Sequence, residues 1–332
     1  MKIGAIDLSS EILVIAEIGN NHEGDFGLAT EMIHAAVAAG AQAVKFQTIQ
    51  PERLVSATQA ARIEQLSRYA FSRDQFAELA EIAREAGAMF LSTPFTPDVV
   101  PWLGPLVPAF KIASGDNNFT PLLEAVAATG KPILLSTGMS DMDAIKQACT
   151  TIGNVAQSGE IALLHCVSAY PTPPEQANLR AIATLALETG KAVGYSDHTL
   201  GVDAAILSVA LGARIIEKHF TLSKTQSEFR DHALSADPAE MAELVRRVRL
   251  ARTLLGTGEK ILQEGEMPTA AAARRSIVAR AALPAGHLLA DDDLDWLRPG
   301  GGLAPGKEDL ILGRRLTQAV ARGEMIKPDM VA

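Results

Sequence analysis

Cysteine is scarce. The 332 residues contain only Cys149 and Cys166, too few for a disulfide framework, and a reducing, cytoplasmic setting is expected. Long apolar runs are missing too: residues 12–18 are apolar, but the stretch is shorter than a signal-peptide core and is interrupted by Glu17, and nothing later approaches a membrane span. There is no basic excess. Thirty Lys and Arg against 39 Asp and Glu give a net charge of −9, which argues against broad nucleic-acid binding but leaves room for a local positive pocket. No Gly-x-Gly-x-x-Gly follows the first apolar run, so a dinucleotide site is not indicated. With 48% hydrophobic and 21% charged residues, the composition is that of an ordered globular chain.

What is present is a repeat. Eight short apolar runs begin at Leu13, Ala43, Met89, Ala109, Ile133, Ile161, Ala192 and Arg214, and each ends in a polar cluster. Between them lie stretches with helical periodicity, among them Leu28 to Ala39, Gln75 to Ala86, Asp143 to Ala156 and Pro238 to Leu255. Thr120-Pro121 marks a helix start, and Gly40, Gly87, Gly130, Gly190 and Gly212 stand where left-handed C-terminal caps are needed. Alternating strand and helix implies a parallel sheet, and eight units imply an α/β fold of the (β/α)8 TIM-barrel type, with chemistry at the strand C-termini. The pattern stops near Leu255. The expected division is a barrel over 1–256, a linker over 257–273 and a small β-rich domain over 274–332. Within that domain Ala282-Leu283-Pro284-Ala285-Gly286-His287-Leu288-Leu289 resembles Ala319-Val320-Ala321-Arg322-Gly323-Glu324-Met325-Ile326, which suggests two pseudo-symmetric halves. Arg298, in Arg298-Pro299-Gly300-Gly301-Gly302 between the halves, either caps a surface turn or is presented to an anion or sugar.

The strand ends carry the chemistry. His198 and His219 fall after adjacent strands, on one rim of a closed barrel, where two neutral imidazoles suit a divalent metal with positions left open, or are simply hydrogen-bonded. Lys45 and Lys111 sit in otherwise apolar strands, where an unpaired ammonium is costly. A bound phosphate or carboxylate would compensate them, helped by hydroxyls at the same level: Ser92, Thr93, Ser114, Ser136, Thr137, Ser168 and Ser196. Two other readings stay open here, a Schiff-base lysine and a structural network with Glu17 or Glu217. Glu17 and Asp116 are the candidates for proton transfer.

Read in order, Ile15-Ala16-Glu17-Ile18-Gly19-Asn20-Asn21-His22, Lys45-Phe46-Gln47-Thr48, Ser92-Thr93-Pro94-Phe95, Lys111-Ile112-Ala113-Ser114-Gly115, His165-Cys166-Val167-Ser168-Ala169-Tyr170-Pro171, Gly194-Tyr195-Ser196-Asp197-His198 and Glu217-Lys218-His219-Phe220-Thr221 resemble the sialic acid synthase family through the whole barrel. The tail, with Arg275-Ser276-Ile277 and Arg298-Pro299-Gly300, is similar to that family's antifreeze-like, or SAF, domain. The resemblance implies condensation of phosphoenolpyruvate with the open-chain aldehyde of an N-acylated hexosamine, giving a nine-carbon 2-keto sugar acid and phosphate. By the same resemblance Lys45, Thr93, Lys111, Ser114, Ser136, Ser168 and Ser196 would hold phosphoenolpyruvate. His198 and His219 would hold Mn or Mg, with Co possible, and Gln47, Tyr170 and Asp231 would face the sugar. It also implies a domain-swapped homodimer in which Arg298 acts in trans.

Three departures from the family pattern bear on substrate. Asp116 replaces a usual Glu, Ser168 stands where some members have Asn, and Phe229-Arg230-Asp231-His232 replaces Gly-Pro-Asp-His. Arg230 either reads an acidic, phosphorylated or unusually substituted hexose or is a surface-loop residue. N-acetylmannosamine is the default acceptor, with the precursors of legionaminate, pseudaminate or spore-coat sugars as alternatives. A Schiff-base aldolase and a non-catalytic sugar-binding protein are the remaining classes.

Overall fold

The apolar runs do become strands of one parallel sheet, but they extend further into the polar clusters than hydrophobicity alone indicates. In the computed structural model, which describes residues 1–155 and 160–332, the chain opens with a hairpin of β1 (Lys2–Ile3) and β2 (Ile6–Asp7). The sheet follows as β3 (Leu13–Gly19), β4 (Ala43–Thr48), β5 (Met89–Pro94), β6 (Phe110–Ile112), β7 (Ile133–Ser136), β8 (Ile161–His165), β9 (Ala192–Asp197) and β10 (Ile215–His219). Its order is β5-β4-β3-β10-β9-β8-β7-β6, with parallel ladders throughout. Because β3 and β10, first and last in the barrel, are hydrogen-bonded neighbours, the sheet curls on itself into a nearly closed barrel. β5 and β6 face each other across the remaining seam without a ladder.

Helices fill the connections with recognisable local chemistry. The Asp25 carboxylate caps helix Phe26–Ala38 by accepting from the Leu28 N–H, Ser72 and Gln75 form a capping box on Arg73–Glu85, and Asp237 caps Pro238–Leu255 with proline in the first turn. Helix Ala181–Thr189 ends on Gly190 at φ 64°, whose N–H returns to the Ala186 carbonyl, a left-handed cap that a Cβ would disfavour. The helix expected to reach Ala156 runs Met142–Val155, and Ala156 itself lies outside the described residues. A helix over Ala60–Tyr69 was not foreseen. It buries only Leu66, so it has no apolar stripe to announce it.

Strand alternation sorts the core into two layers. Val14, Ala16, Ile18, Phe46, Phe90, Ile112, Leu163 and Ile216 face outward and pack under the helices. Leu13, Ile15, Ala43, Leu91, Ala109, Leu134, Ala162, Leu164 and Ile215 form the inner cluster, and Ile3 and Leu8 of the hairpin join it at the strand N-termini. Moving toward the strand C-termini, the inner face turns polar. Ser196 and Glu217 point in with the inner set, whereas Asp197 and Lys218, paired directly across β9 and β10, point out. There Lys218 Nζ lies 3.0 Å from Asp197 Oδ2, and the side chains are 1% and 0% exposed. No helix is long and apolar enough to cross a membrane among the described residues.

The chain divides into two compact units, Met1–Gly256 and Thr257–Ala332. The stretch expected as a linker carries the short helix Met267–Ala273. Beyond it β11 (Ser276–Ala279) pairs antiparallel with β12 (Leu294–Leu297). The two halves seen in the sequence meet at equivalent positions: Leu283 and Val320 exchange hydrogen bonds, N to O 2.9 Å and 3.0 Å. The corresponding Leu289 and Ile326 share one buried core with Ile277, Leu294, Ile311 and Leu316.

Asp197→Ala would strand the Lys218 ammonium in the protein interior. A loss of about 3–5 kcal/mol is expected, read as a lower urea midpoint by far-ultraviolet circular dichroism, and a midpoint unchanged within error would show that Lys218 finds water instead.

Candidate active site

Barrel closure gathers side chains from seven strands around a cavity of about 1010 Å³ at the strand C-termini. At its floor lie four ionisable groups that water barely reaches: Glu17 at 2% exposure, Lys45 and Lys111 at 3%, and Glu217 at 4%. Lys45 Nζ is 2.8 Å from Glu17 Oε2 and 3.6 Å from Glu217 Oε2, and Lys111 Nζ is 3.6 Å from Glu217 Oε1. Register explains the closeness, since Glu17 is directly opposite Lys45 across β3 and β4, and opposite His219 across β3 and β10. Lys45 also donates to Thr93 Oγ1 at 3.2 Å, Ser196 Oγ donates to Glu217 at 2.9 Å, and Gln47 Nε2 donates to Glu17 Oε1 at 3.2 Å. The lysine–glutamate network considered from sequence is therefore real, and it lies inside the cavity.

Two carboxylates share two lysines unequally, and that separates them. Burial alone would push Glu217 up, but Lys111 and Lys45 outweigh it and hold the carboxyl down at about 2. Glu17 has Lys45 as its main cation and the Glu217 charge nearby, so burial prevails and its proton affinity is raised. Burial opposes the charge on both lysines. The two carboxylates overcome it at Lys45, which is raised, whereas Lys111 is lowered. Surroundings that drive two carboxyls apart in this way are how one site separates an acid role from a base role.

Beside the quartet stand the two histidines. Burial lowers both to about 4, so the imidazoles are neutral at physiological pH. His198 Nδ1 contacts the Val167 carbonyl at 2.9 Å, which orients the ring and frees Nε2, while His219 Nδ1 is buried with no partner. Ring centroids are 5.5 Å apart. No group of three or more His, Cys, Asp or Glu able to hold a metal occurs among the described residues. Two neutral imidazoles, one with an orphaned nitrogen, nevertheless fit a divalent cation that takes its other ligands from substrate and water.

Beyond β7, Gly138 is closely surrounded by side chains that line the cavity. A Cβ there would lie 2.5 Å from Ser168 Oγ, 2.7 Å from Ser114 Oγ and 2.8 Å from Cys166 Sγ. Ser136 Oγ and Ser168 Oγ are buried without partners among the described residues, hydroxyls free to turn toward a ligand. Asn117, which sequence reading passed over, ties this wall together by donating to the Ser136 and Gly138 carbonyls at 3.3 Å and 3.1 Å.

The cavity thus brings together Glu17, Lys45, Gln47, Thr93, Lys111, Ser114, Ser136, Ser168, Tyr170, Ser196, His198, His219 and Asp231. Asp116 is raised to about 6 by burial but sits on the short turn Ser114–Asp116 and is not among the lining residues. Arg298 is exposed and belongs to the second unit. Residues not singled out also line the cavity: Asn20, which donates to Gln47 at 3.0 Å, and Arg62, Gln65 and Tyr69 of the unforeseen helix. In sequence that helix shows only a Glu64–Arg68 pair at four-residue spacing. His198 and His219 were expected after their strands; His219 instead ends β10, because the inner face is already polar there and apolar counting stops too soon.

Comparison with known proteins agrees across both units. The NeuB family model matches residues 32–260 and the SAF domain model residues 274–332. An N,N'-diacetyllegionaminic acid synthase of Legionella pneumophila is 40% identical over 95% of this chain and 93% of its own. The human N-acetylneuraminate-9-phosphate synthase is 35% identical over 96% and 92%. The crystal structure of N-acetylneuraminic acid synthetase from Leptospira borgpetersenii, in complex with citrate, superposes with a TM-score of 0.77 at 35% identity, covering 81% of this chain and 94% of that one.

Gly138→Ala keeps an allowed backbone but forces a methyl against Ser114, Cys166 and Ser168. Affinity for inorganic phosphate, measured by calorimetry, is expected to fall about tenfold to a hundredfold, the cost of forcing a methyl into packed surroundings; unchanged affinity would show that these hydroxyls do not bind the anion.

Proposed function

The chain belongs to the NeuB family of sialic acid synthases, phosphoenolpyruvate-dependent nonulosonic acid synthases with a C-terminal SAF domain, and from that premise we propose that it joins phosphoenolpyruvate to the aldehyde of an N-acylated hexose, releasing phosphate. Among acceptors, the similarity to the Legionella enzyme favours one of the legionaminate type over N-acetylmannosamine. The observation that carries the reading is the buried quartet of Glu17, Lys45, Lys111 and Glu217, flanked by unpartnered hydroxyls and two neutral histidines in one cavity.

Phosphoenolpyruvate brings a phosphate and a carboxylate. Lys45 and Lys111, with Thr93, Ser114, Ser136, Ser168 and Ser196, would bind these groups and hold C3 toward the acceptor, a contribution of positioning and electrostatics. His198 and His219 would hold the divalent cation, Mn or Mg. When bound, that ion polarises the aldehyde oxygen and stabilises charge developing on it. C3 forms the new bond to the aldehyde carbon, C2 becomes electron-poor, and water adds to C2. The tetrahedral product then expels phosphate to leave the ketone. Glu17, the carboxyl with raised proton affinity, would take the proton from that water or deliver one to the alkoxide. Gln47, Tyr170 and Asp231 would face the sugar, and Glu217, kept ionised, would orient the lysines. Asp116 could assist Glu17 only indirectly, since it is off the cavity wall.

Phosphate release from phosphoenolpyruvate with Mn, acceptor by acceptor, tests the reading. Release should require both a sugar and a metal. Glu17→Gln should lower kcat by about 100-fold or more, and His198→Ala or His219→Ala should abolish metal-dependent turnover. Full turnover in Glu17→Gln would exclude it as proton carrier, and borohydride trapping of Lys111 with a carbonyl substrate, without metal, would establish the Schiff-base aldolase instead.

Arg298 is proposed to act in trans within a homodimer. Arg298→Ala and Glu17→Gln proteins, each impaired, should regain activity when mixed and re-assembled; no recovery would place Arg298 outside the partner's site.

A further inference from the structure

The deep end of the cavity balances two lysines against two glutamates, but its mouth does not balance. Glu23, Glu228 and Asp231 stand there against Arg62 and Arg230. Two of these acids are already engaged: Asp231 Oδ1 lies 3.1 Å from Arg230 Nε, and Glu23 Oε1 accepts from Ser227 Oγ at 2.6 Å and contacts His232 Nε2 at 3.1 Å. The second contact anchors the loop that carries Arg230, because His232 is buried and its other nitrogen is 2.7 Å from Thr221 Oγ1.

Arg230 is held on two sides. Its guanidinium carbon lies 5.0 Å from the centroid of Tyr170, whose ring is in turn 4.2 Å from that of His198. With Nε directed to Asp231, the terminal donors have no hydrogen-bond partner among the described residues, and they sit one aromatic ring beyond the histidine pair. An acceptor whose aldehyde is at the histidines would reach them with a substituent several carbons along its chain.

A phosphorylated sugar would bring about −2 of charge to a mouth that is already net acidic, next to the anionic phosphoenolpyruvate. Among the described residues, the one other arginine that lines it is Arg62, whose Nη1 donates to Gln65 at 2.6 Å. A neutral acyl group suits the place better, because its carbonyl oxygen accepts from a planar guanidinium fork without adding charge. Phosphoenolpyruvate contains no nitrogen, so both N-acetyl groups of a product of the N,N'-diacetyllegionaminic acid kind must arrive with the acceptor.

We propose that the terminal donors of Arg230, stacked on Tyr170, bind the carbonyl oxygen of the acyl group remote from the aldehyde, and that Arg230 is thereby the residue that selects an uncharged, doubly N-acylated acceptor of the legionaminate type over a singly acylated or phosphorylated one. The inference rests on the synthase reading and makes Arg230 a specificity residue. The Phe229-Arg230 departure from the family pattern then has a physical function.

The test is phosphate release with N-acetylmannosamine, its 6-phosphate and a 2,4-diacetamido-2,4,6-trideoxyhexose, on the native protein, Arg230→Ala and Arg230→Lys. For native protein, kcat/KM for the diacetamido sugar should exceed that for N-acetylmannosamine by roughly tenfold or more, the discrimination one hydrogen-bonded group confers, with the 6-phosphate the poorest. Arg230→Ala should erase that preference through the acceptor KM, with little change in the KM of phosphoenolpyruvate. Arg230→Lys should not restore it, since the planar fork is lost. Preference for the 6-phosphate, or discrimination unchanged in Arg230→Ala, overturns the inference while leaving the synthase reading intact. Phosphate release from none of the three overturns both.

Discussion

Four ionisable groups buried at the end of a barrel are the constraint around which the rest of this protein is arranged. Glu17, Lys45, Glu217 and Lys111 come from four different strands, and removing any one would leave its buried partners without their counterpart in the interior. Neutralising them therefore depends on the nearly closed sheet, in which β3 lies between β10 and β4 so that Glu17 meets both His219 and Lys45. The apolar inner cluster below, plugged by Ile3 and Leu8, keeps water from the quartet's lower side. The cavity above leaves its upper side open to a ligand.

Strand alternation turns this into a division of labour. Within Ser196-Asp197-His198 and Glu217-Lys218-His219 the outer residues of each triplet face the cavity, and the middle ones pair with each other behind the sheet. The same two tripeptides thus supply cavity-lining side chains on one face and a tie between neighbouring strands on the other. Unequal sharing of the lysines then distinguishes Glu17 from Glu217, although the two are chemically similar side chains on nearby strands. The outer part of the cavity is built differently: its residues come from the 227–231 loop and the Ala60–Tyr69 helix, where side chains are more exposed.

Much was legible from the chain alone, for identifiable reasons. A buried strand must be apolar on both faces along most of its length, so eight short apolar runs, with glycines of positive φ closing Phe26–Ala38, Arg73–Glu85 and Ala181–Thr189, announce the barrel and its order. Lysines inside such runs signal compensation by something anionic. The repeat at Ala282 and Ala319 likewise announces a unit whose halves pair, as Leu283 and Val320 do.

Tertiary structure decided the rest, because it depends on which residues become neighbours. Sequence could not say where a strand ends once its inner face turns polar, nor that Asp197 and Lys218 would turn away from the cavity while Ser196 and Glu217 turned in. It marked Asp116 as a proton carrier by position, whereas the fold puts that side chain off the cavity wall and makes Asn117 the tie between loops. It left Arg230 undecided between surface and site until Tyr170 and Asp231 were found against it. Residue types and their periodicity determine the architecture and the kind of chemistry available, because burial selects composition. Burial depth, proton affinity and the direction a side chain faces are properties of the closed barrel, set by register and by neighbours far apart in the chain.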